Sequence, residues 1–127
     1  MDKKIIATAL AFGFVSIVLG AFGAHALKKV LHPDQLSSFE VGVRYMTYHA
    51  FFLLFIGTTQ FIQPKQKKNI YYLTVVGTLF FSVSIFLLST SSATGINFKS
   101  IGFITPIGGL LLITSWALAF YYAIVKK

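Results

Sequence analysis

The clearest pattern in this chain is a series of long apolar segments separated by short polar ones. Residues 5–27 form an uncharged segment that contains one ionisable residue, His25. At about 1.5 Å per helical residue, this segment is long enough to cross the roughly 30 Å hydrocarbon core of a membrane. The same pattern predicts four membrane-spanning helices, at about 5–27, 45–62, 70–88 and 105–125.

A capping pattern predicts that the second helix begins before its membrane span. Ser37 and Glu40 have the spacing of a capping box, which places the start of the helix near Ser37. A helix from there to Gln63 would be roughly 39 Å long, which exceeds the thickness of the bilayer core. We therefore expect its first two turns to form a short extension in the headgroup layer.

The second helix is also predicted to have two different faces. At 100° per residue, one stripe contains Leu36, Phe39, Val43, Met46 and Ala50. The other stripe contains Glu40, Arg44, Thr47 and Tyr48. The side chain of His49 points away from both stripes, so this helix offers a histidine to a third surface.

The start of the fourth helix has two alternatives. Thr105 as N-cap with Pro106 at the first helical position would begin the helix there. Alternatively, the helix begins near Lys99 and Pro106 introduces a kink. The other connections are predicted as a basic turn at 63–69 and a polar loop at 89–100.

The composition agrees with a membrane protein. The chain has 127 residues, of which 56% are hydrophobic and 11% are charged. A soluble domain of this size could not bury so many hydrophobic side chains away from its surface. We therefore expect a single membrane domain, 1–127. The net charge of +8 comes from Lys and Arg residues that lie mostly between or beyond the apolar segments. They act there as topology signals, so no nucleic-acid partner is expected.

The distribution of basic residues predicts the orientation. Four spans would put both termini on one side of the membrane. That side would carry seven basic residues, Lys3, Lys4, Lys65, Lys67, Lys68, Lys126 and Lys127. The other side would carry four, Lys28, Lys29, Arg44 and Lys99. By the positive-inside rule, the sequence predicts an all-α integral membrane four-helix bundle in the cell membrane with both termini in the cytoplasm.

The first apolar segment has a face of small residues. Gly13, Ser16, Gly20 and Gly23 recur at three- and four-residue steps, and small residues let helix backbones approach closely in lipid. We predict that these four residues form a helix-packing face. The alternative for this segment is a cleaved signal peptide, because lysines precede it and residues 24–26 (Ala-His-Ala) resemble a cleavage site.

Candidate site residues fall mostly in the half of the predicted bundle that faces away from the cytoplasm. The candidate ligand-binding residues are His25, Glu40, Arg44, Tyr48, His49, Thr105, Gly108 and Gly109. If the fourth helix starts at Thr105, the backbone N–H groups of residues 107–109 carry the positive end of the helix dipole. With Arg44 nearby, they would bind an anionic headgroup or a carboxylate.

Each of these residues also has a simpler structural role. The histidines can hydrogen-bond neighbouring backbone or serine groups, and Glu40 can cap a helix or pair with Arg44 one turn away. Arg44 can contact lipid phosphate, and the two glycines can allow close helix packing. Trp116 lies near the middle of its span, so we expect its indole N–H to reach a polar group on another span.

Several short motifs carry a resemblance to a known family. They are residues 19–25 (LGAFGAH), Phe39 with 42–45 (GVRY) and 48–50 (YHA), then 105–109 (TPIGG), and Trp116. In this order they closely resemble the YgdD-like (YwdK-like) family, small four-span membrane proteins of unknown function. The resemblance covers essentially the whole chain and implies the four-span fold but no activity. The chain departs from the family pattern at Val41, Met46, Phe86 and Ser115.

Three functions from different classes remain open. The first is a non-enzymatic protein that binds lipid or a small amphiphile, or supports a membrane complex, with membrane lipids, its own copies and an unidentified membrane protein as partners. The second is a small oligomeric transporter or channel. The third is a haem or metal protein in which His25 and His49 are the ligands. We assign no cofactor and no catalytic residue, since the sequence has no HExxH, P-loop or Gly-x-Ser-x-Gly motif.

Overall fold

A computed structural model describes residues 2–125, and all regular secondary structure in that part of the chain is helical. The α-helices are α1 (Asp2–His25), α2 (Pro33–Thr58), α3 (Pro64–Thr78), α4 (Ser84–Ser89), α5 (Ser91–Thr94) and α6 (Ile104–Ile124). A π-helical turn (Leu79–Val83) joins α3 to α4 in one continuous helical rod, Pro64–Ser89. Short 3₁₀ turns lie at Leu27–Lys29 and Lys99–Ile101.

Three segments of the described chain are long and apolar enough to cross a membrane. They are Asp2–Lys29, Pro64–Ser89 and Lys99–Ile124. Helix α2 has 26 residues, which is sufficient length, but Arg44 and His49 make it less apolar than the other three.

The helices pack in a simple order. Helix α1 lies against α2, α6 lies against the Pro64–Ser89 rod, and α2 and the rod pack together in the middle. The small-residue face of α1 is turned toward α2, where Gly20 faces Val43 and Gly23 lies against the ring of Phe39. Gly13 faces Ala50 further along the same contact, so the two helices are antiparallel.

One end of the molecule is rich in lysine. Lys67 Nζ forms an ion pair of 3.1 Å with Asp2 Oδ1 at the start of α1. Tyr122, near the end of α6, lines the same cleft as Gln63 and Gln66. The start of α1 and the end of α6 therefore both lie beside the connection between α2 and α3, which we call the basic end. Lys126 and Lys127, counted above in predicting the orientation, lie outside the described residues.

Helix α2 begins four residues earlier than expected. Pro33 is its first residue, and the backbone N–H of His32 donates to Gln35 Oε1 at 3.1 Å. Proline suits this position because its fixed φ is helical and its missing N–H would have had no helical partner. The capping box predicted at Ser37 and Glu40 is therefore wrong, since both residues lie inside the helix.

The connection between the second and third helices is shorter than predicted. Helix α2 ends at Thr58, and α3 already begins at Pro64, where the N–H of Gln63 donates to Gln66 Oε1 at 3.0 Å. Most of the expected basic turn at 63–69 is therefore the first turns of α3. The same proline and glutamine spacing begins α2 and α3.

Helix α6 begins at Ile104, close to the first of the two predicted alternatives. Pro106 lies in its first turn, where a missing N–H breaks no helical bond. The N-cap is Phe103 and not Thr105. The hydroxyl of Thr105 instead lies 2.6 Å from the hydroxyl of Ser84 on α4. This side chain joins two helices instead of capping one.

The π-helical turn lies where three helices meet. The hydroxyl of Ser82 donates to the carbonyl of Gly42 on α2 at 2.8 Å. On the other side, a Cβ at Gly108 would collide with the backbone of Phe80 and Phe81. The absence of a side chain at Gly108 therefore lets α6 lie directly against the rod.

Candidate functional site: a groove between two helices

A groove separates α2 from α6 along much of their length. Each helix packs mainly against other elements, so the two face one another across the Pro64–Ser89 rod. The α2 side of the groove carries Asp34, Ser38, Tyr45, His49 and Phe52. The α6 side carries Thr105, Gly109, Leu112, Trp116 and Ala119. Spacings of three, four and seven residues put each set on one helix face.

Near the basic end, the groove widens into an aromatic cavity of about 480 Å³. Its walls are Tyr48, Phe51, Phe52, Phe55, Phe61, Trp116, Ala119, Phe120 and Ala123. The rings of Phe52 and Trp116 are stacked, with centroids 4.3 Å apart. The cavity has almost no polar wall, so an apolar chain or ring system would fit it and a charged group would not.

A second cavity of about 430 Å³ lies on the other side of Trp116. It is lined by Tyr45, His49, Phe81, Gly109, Leu112, Ile113 and Trp116. Because Trp116 lines both cavities, its indole ring forms part of the wall between them.

His49, which lines the second cavity beside Trp116, is a buried polar residue. Its Nδ1 lies 2.7 Å from the carbonyl oxygen of Tyr45, and its Nε2 lies 2.9 Å from Nε1 of Trp116. A carbonyl oxygen only accepts and an indole N–H only donates. Nδ1 therefore carries the hydrogen and Nε2 accepts, so both ring nitrogens of a neutral imidazole are occupied. The expectation that the Trp116 indole reaches a polar group on another helix is confirmed.

A third cavity, of about 450 Å³, lies at the end of the groove away from the basic end. It is lined by Asp34, Gln35, Ser38, Ile85, Leu88, Ser89, Gly102 and Thr105. This cavity is the polar part of the groove, and it contains a carboxylate. Its wall includes no lysine and no arginine.

The predicted site residues do not meet in one pocket. Tyr48, His49, Thr105 and Gly109 line parts of the groove, although in three different cavities. Gly108 is buried against the backbone of the rod. Its N–H also lies beyond the first turn of α6, because the helix starts at Ile104. The predicted anion site at residues 107–109 therefore does not form as expected.

The other three predicted site residues lie on exposed surfaces. His25, Glu40 and Arg44 are exposed, and their side chains form no hydrogen bond or ion pair within residues 2–125. The helix pair expected between Glu40 and Arg44 is therefore not formed.

The depth of each histidine argues against a shared ligand. Contacts at Gly57 and Gly23 mark the two ends of the α1–α2 interface, and His49 lies about midway between them on α2. The neighbouring Ala50 faces Gly13 of α1, so His49 lies at the depth of Gly13. His25 is twelve residues beyond Gly13 on α1, which places it about 18 Å from that depth along the helix axis. His25 and His49 are too far apart to ligate one haem or metal ion. The described residues also contain no cluster of three or more potential metal ligands.

Some groove residues were not selected from the sequence. Asp34, Ser38 and Ser89 form the polar cavity, while Phe52 and Phe120 wall the aromatic one. The aromatic spacing along α2 could have indicated Phe52 and Phe55 as one face. Nothing in the sequence indicated that Asp34 would be opposite the start of α6, because that placement depends on how the helices pack.

The helical fold of the described residues, with three helices long and apolar enough to cross a membrane, defines the chain as an all-helical membrane protein. It belongs to the family described as a protein of unknown function (DUF423), whose model matches residues 19–109. It is 31% identical over 118 residues to the UPF0382 inner membrane protein YgdD of Escherichia coli K12, covering 91% of this chain and 85% of the relative. The family expected from the sequence motifs is confirmed.

Other relatives cover similar lengths. The UPF0382 membrane protein SH2409 of Staphylococcus haemolyticus is 35% identical over 102 residues, 80% of each chain. A UPF0382 membrane protein of Haemophilus influenzae is 28% identical over 127 residues, which is 100% of this chain and 98% of the relative. No solved structure matches the chain.

Proposed function

We propose that this protein crosses the cell membrane four times, with both termini in the cytoplasm, and holds the apolar part of a lipid or small amphiphile in the α2–α6 groove. Three helices are apolar enough to span by themselves. The second half of α2, which lies at the same depth, would form the fourth span. The lysines at the basic end support a cytoplasmic position for that end.

The aromatic cavity carries the proposal of ligand binding. It is a concave apolar surface of about 480 Å³ on the side of a membrane protein, where the surrounding solvent is lipid. Aromatic rings give a large contact area at a low cost in conformational entropy, because their side chains have few rotatable bonds. A lipid chain that contacts Phe52, Trp116 and Phe120 would lose little solvation free energy on moving from the bilayer into the cavity, because both surroundings are apolar. It would gain contacts with side chains that are held in place.

The proposed roles of the sequence-selected residues differ. Tyr48, His49, Gly109 and Thr105 would form the walls along which a ligand lies. Arg44 and His25, both exposed, would contact phosphate groups of surrounding lipids instead of a ligand in the groove. Glu40 would remain at the surface.

A filling substitution tests the proposal without disturbing the core. Ala123 lines the aromatic cavity and is exposed, so Ala123→Trp would occupy the cavity. Ala117, on the same helix, is exposed but lies outside that cavity, so Ala117→Trp is a matched control. We expect native mass spectrometry to show less retained lipid for Ala123→Trp than for the wild type and the control. Equal lipid retention by all three proteins would contradict the proposal.

One observation favours the second candidate, an oligomeric transporter or channel. The hydroxyls of Thr74 and Thr78 are fully buried and have no hydrogen-bond partner within the described residues. A buried hydroxyl without a partner is unfavourable, so water or a permeant polar molecule would stabilise this part of α3. Flux of a small polar solute into proteoliposomes, lost in the Thr74→Val/Thr78→Val double variant, would support this candidate. The absence of flux would leave it without support.

A further inference from the structure

The sequence predicted a site for an anionic group near the start of α6, but the polar cavity there is lined by the carboxylate of Asp34. We propose that the cavity at Asp34 binds the ammonium headgroup of an amphiphile whose chain lies along the groove toward Trp116. This inference rests on the proposed function, since it requires that the groove holds an apolar chain. It adds the chemical class of the ligand and the direction in which it lies.

Charge complementarity supports an ammonium group. The carboxylate of Asp34 lines this cavity, and it forms no ion pair within residues 2–125. No lysine or arginine is part of the wall, so no basic side chain in the cavity offsets the charge of the carboxylate. Ser38 adds a hydroxyl oxygen that can accept a hydrogen bond from an ammonium group, while Gln35 Oε1 already accepts from the N–H of His32 and the hydroxyl of Ser92.

Part of the wall of the same cavity is apolar. The rod contributes Ile85 and Leu88 together with Ser89, while α2 contributes Asp34 and Ser38. A site with polar groups on one side and apolar groups on another is complementary to an amphiphile at the point where its headgroup meets its chain.

The polar cavity continues into the apolar groove. Thr105 lines the polar cavity, and Gly109, one helical turn further along α6, lines the cavity that contains His49. From Thr105 to Trp116 the groove runs about 17 Å along α6. Half of a roughly 30 Å hydrocarbon core is about 15 Å, so this length matches the chain of a lipid from one leaflet. The hydrogen bond between Trp116 and His49 lies where such a chain would end.

Two probes with the same chain separate the headgroup from the apolar contact. Hexadecylamine and hexadecanol differ only in their polar group, and both would use the groove. We expect the full-length protein in detergent to bind hexadecylamine about tenfold more tightly than hexadecanol, the ratio of one charge-assisted hydrogen bond. Competition against a bound fluorescent fatty amine measures both affinities.

Variants then test the role of Asp34. Asp34→Asn should remove the preference for the amine and leave the affinity for hexadecanol unchanged, while Asp34→Glu should retain it. Glu40→Gln is the matched control, because it removes an exposed carboxylate of the same helix that lies outside the cavity.

The outcomes distinguish the two proposals. Equal affinities for the two probes in the wild type, or an amine preference that survives Asp34→Asn, would overturn the headgroup site while the apolar groove stands. Failure to bind either probe would overturn chain binding between Thr105 and Trp116 as well, whereas lipid binding in the aromatic cavity is decided separately by Ala123→Trp. Loss of the preference in Asp34→Asn with its retention in Glu40→Gln would support the headgroup site.

Discussion

Trp116 and His49 are joined by a hydrogen bond of 2.9 Å between the indole Nε1–H and the imidazole Nε2. This bond connects α6 to α2 across the groove. Trp116 is 50% exposed, whereas His49 is only 3% exposed, so the tryptophan lies between the surface of the molecule and a buried polar group. The same ring stacks on Phe52, which fixes its orientation.

Removing the donor should weaken the connection between these two helices. Trp116→Phe keeps an aromatic ring beside Phe52 but leaves Nε2 of His49 without a donor. We expect a loss of about 0.5–2 kcal/mol in the free energy of unfolding, the range for hydrogen bonds between membrane helices. Steric trapping or reversible denaturation in detergent measures this loss. In a double-mutant cycle, adding His49→Phe should cost less than the sum of the single effects, and strict additivity would argue against the bond.

The close approach of α6 to the rod depends on Gly108. In Gly108→Ala, the new methyl group would meet the backbone of Phe80 and Phe81, and backbone atoms cannot move aside cheaply. We expect a destabilisation of about 1–3 kcal/mol. The neighbouring Gly109→Ala is the control, because its methyl group would make ordinary contacts of 3.7 Å with the ring of Phe81. Equal melting temperatures for the two variants would contradict the observed packing.

The ion pair at the basic end is asymmetric. Lys67 has a side chain only 5% exposed, while that of Asp2 is 59% exposed. Asp2→Ala would leave a buried ammonium group without its partner, and we expect it to cost about 1–3 kcal/mol. Lys67→Met leaves a solvated carboxylate and should change stability by less than about 0.5 kcal/mol. Thermal unfolding of both variants measures the difference. A larger loss of stability in Lys67→Met than in Asp2→Ala would contradict the expectation that the unpaired buried ammonium group is the costly one.

The orientation in the membrane can be tested by labelling, because the chain has no cysteine. Lys65 and Ala93 are both exposed, Lys65 near the basic end and Ala93 in the connection before α6. We expect a membrane-impermeant maleimide to label Ala93→Cys in intact cells, and Lys65→Cys only after permeabilisation. Labelling of both variants in intact cells would contradict a four-span topology, and the reverse pattern would contradict the predicted orientation.

The sequence was sufficient to predict the helical class but not the helix boundaries. Apolar segments as long as 5–27 have few alternatives to a spanning helix. The start of α2 was missed because Ser37 and Glu40 match a capping box, whereas Pro33 is the residue that begins the helix. The π-helical turn at Leu79–Val83 was also missed, since an extra residue in a helical turn leaves no compositional signal.

The candidate site was less predictable than the fold. The sequence indicated that Trp116 would bond to another helix, but the identity of its partner depends on how α2 and α6 face each other. In the sequence, His25 and His49 are comparable because both lie in apolar surroundings. In the fold, the first is exposed at the end of α1 and the second is buried near the middle of the bundle. The two histidines differ in their depth along the antiparallel helices. That depth depends on how the helices pack, so the sequence of one segment alone does not show it.

The π-helical turn at Leu79–Val83 makes the register of the rod depend on how many residues the turn contains. One additional residue rotates everything that follows by about 100° relative to a regular α-helix. With this rotation, Ser84 faces Thr105 and Ser82 faces Gly42. Deleting one residue from this turn would restore a regular helix and turn Ser84 away from α6. The fold should therefore tolerate substitutions at the exposed positions of this turn, Leu79, Phe80 and Val83, better than a change in its length.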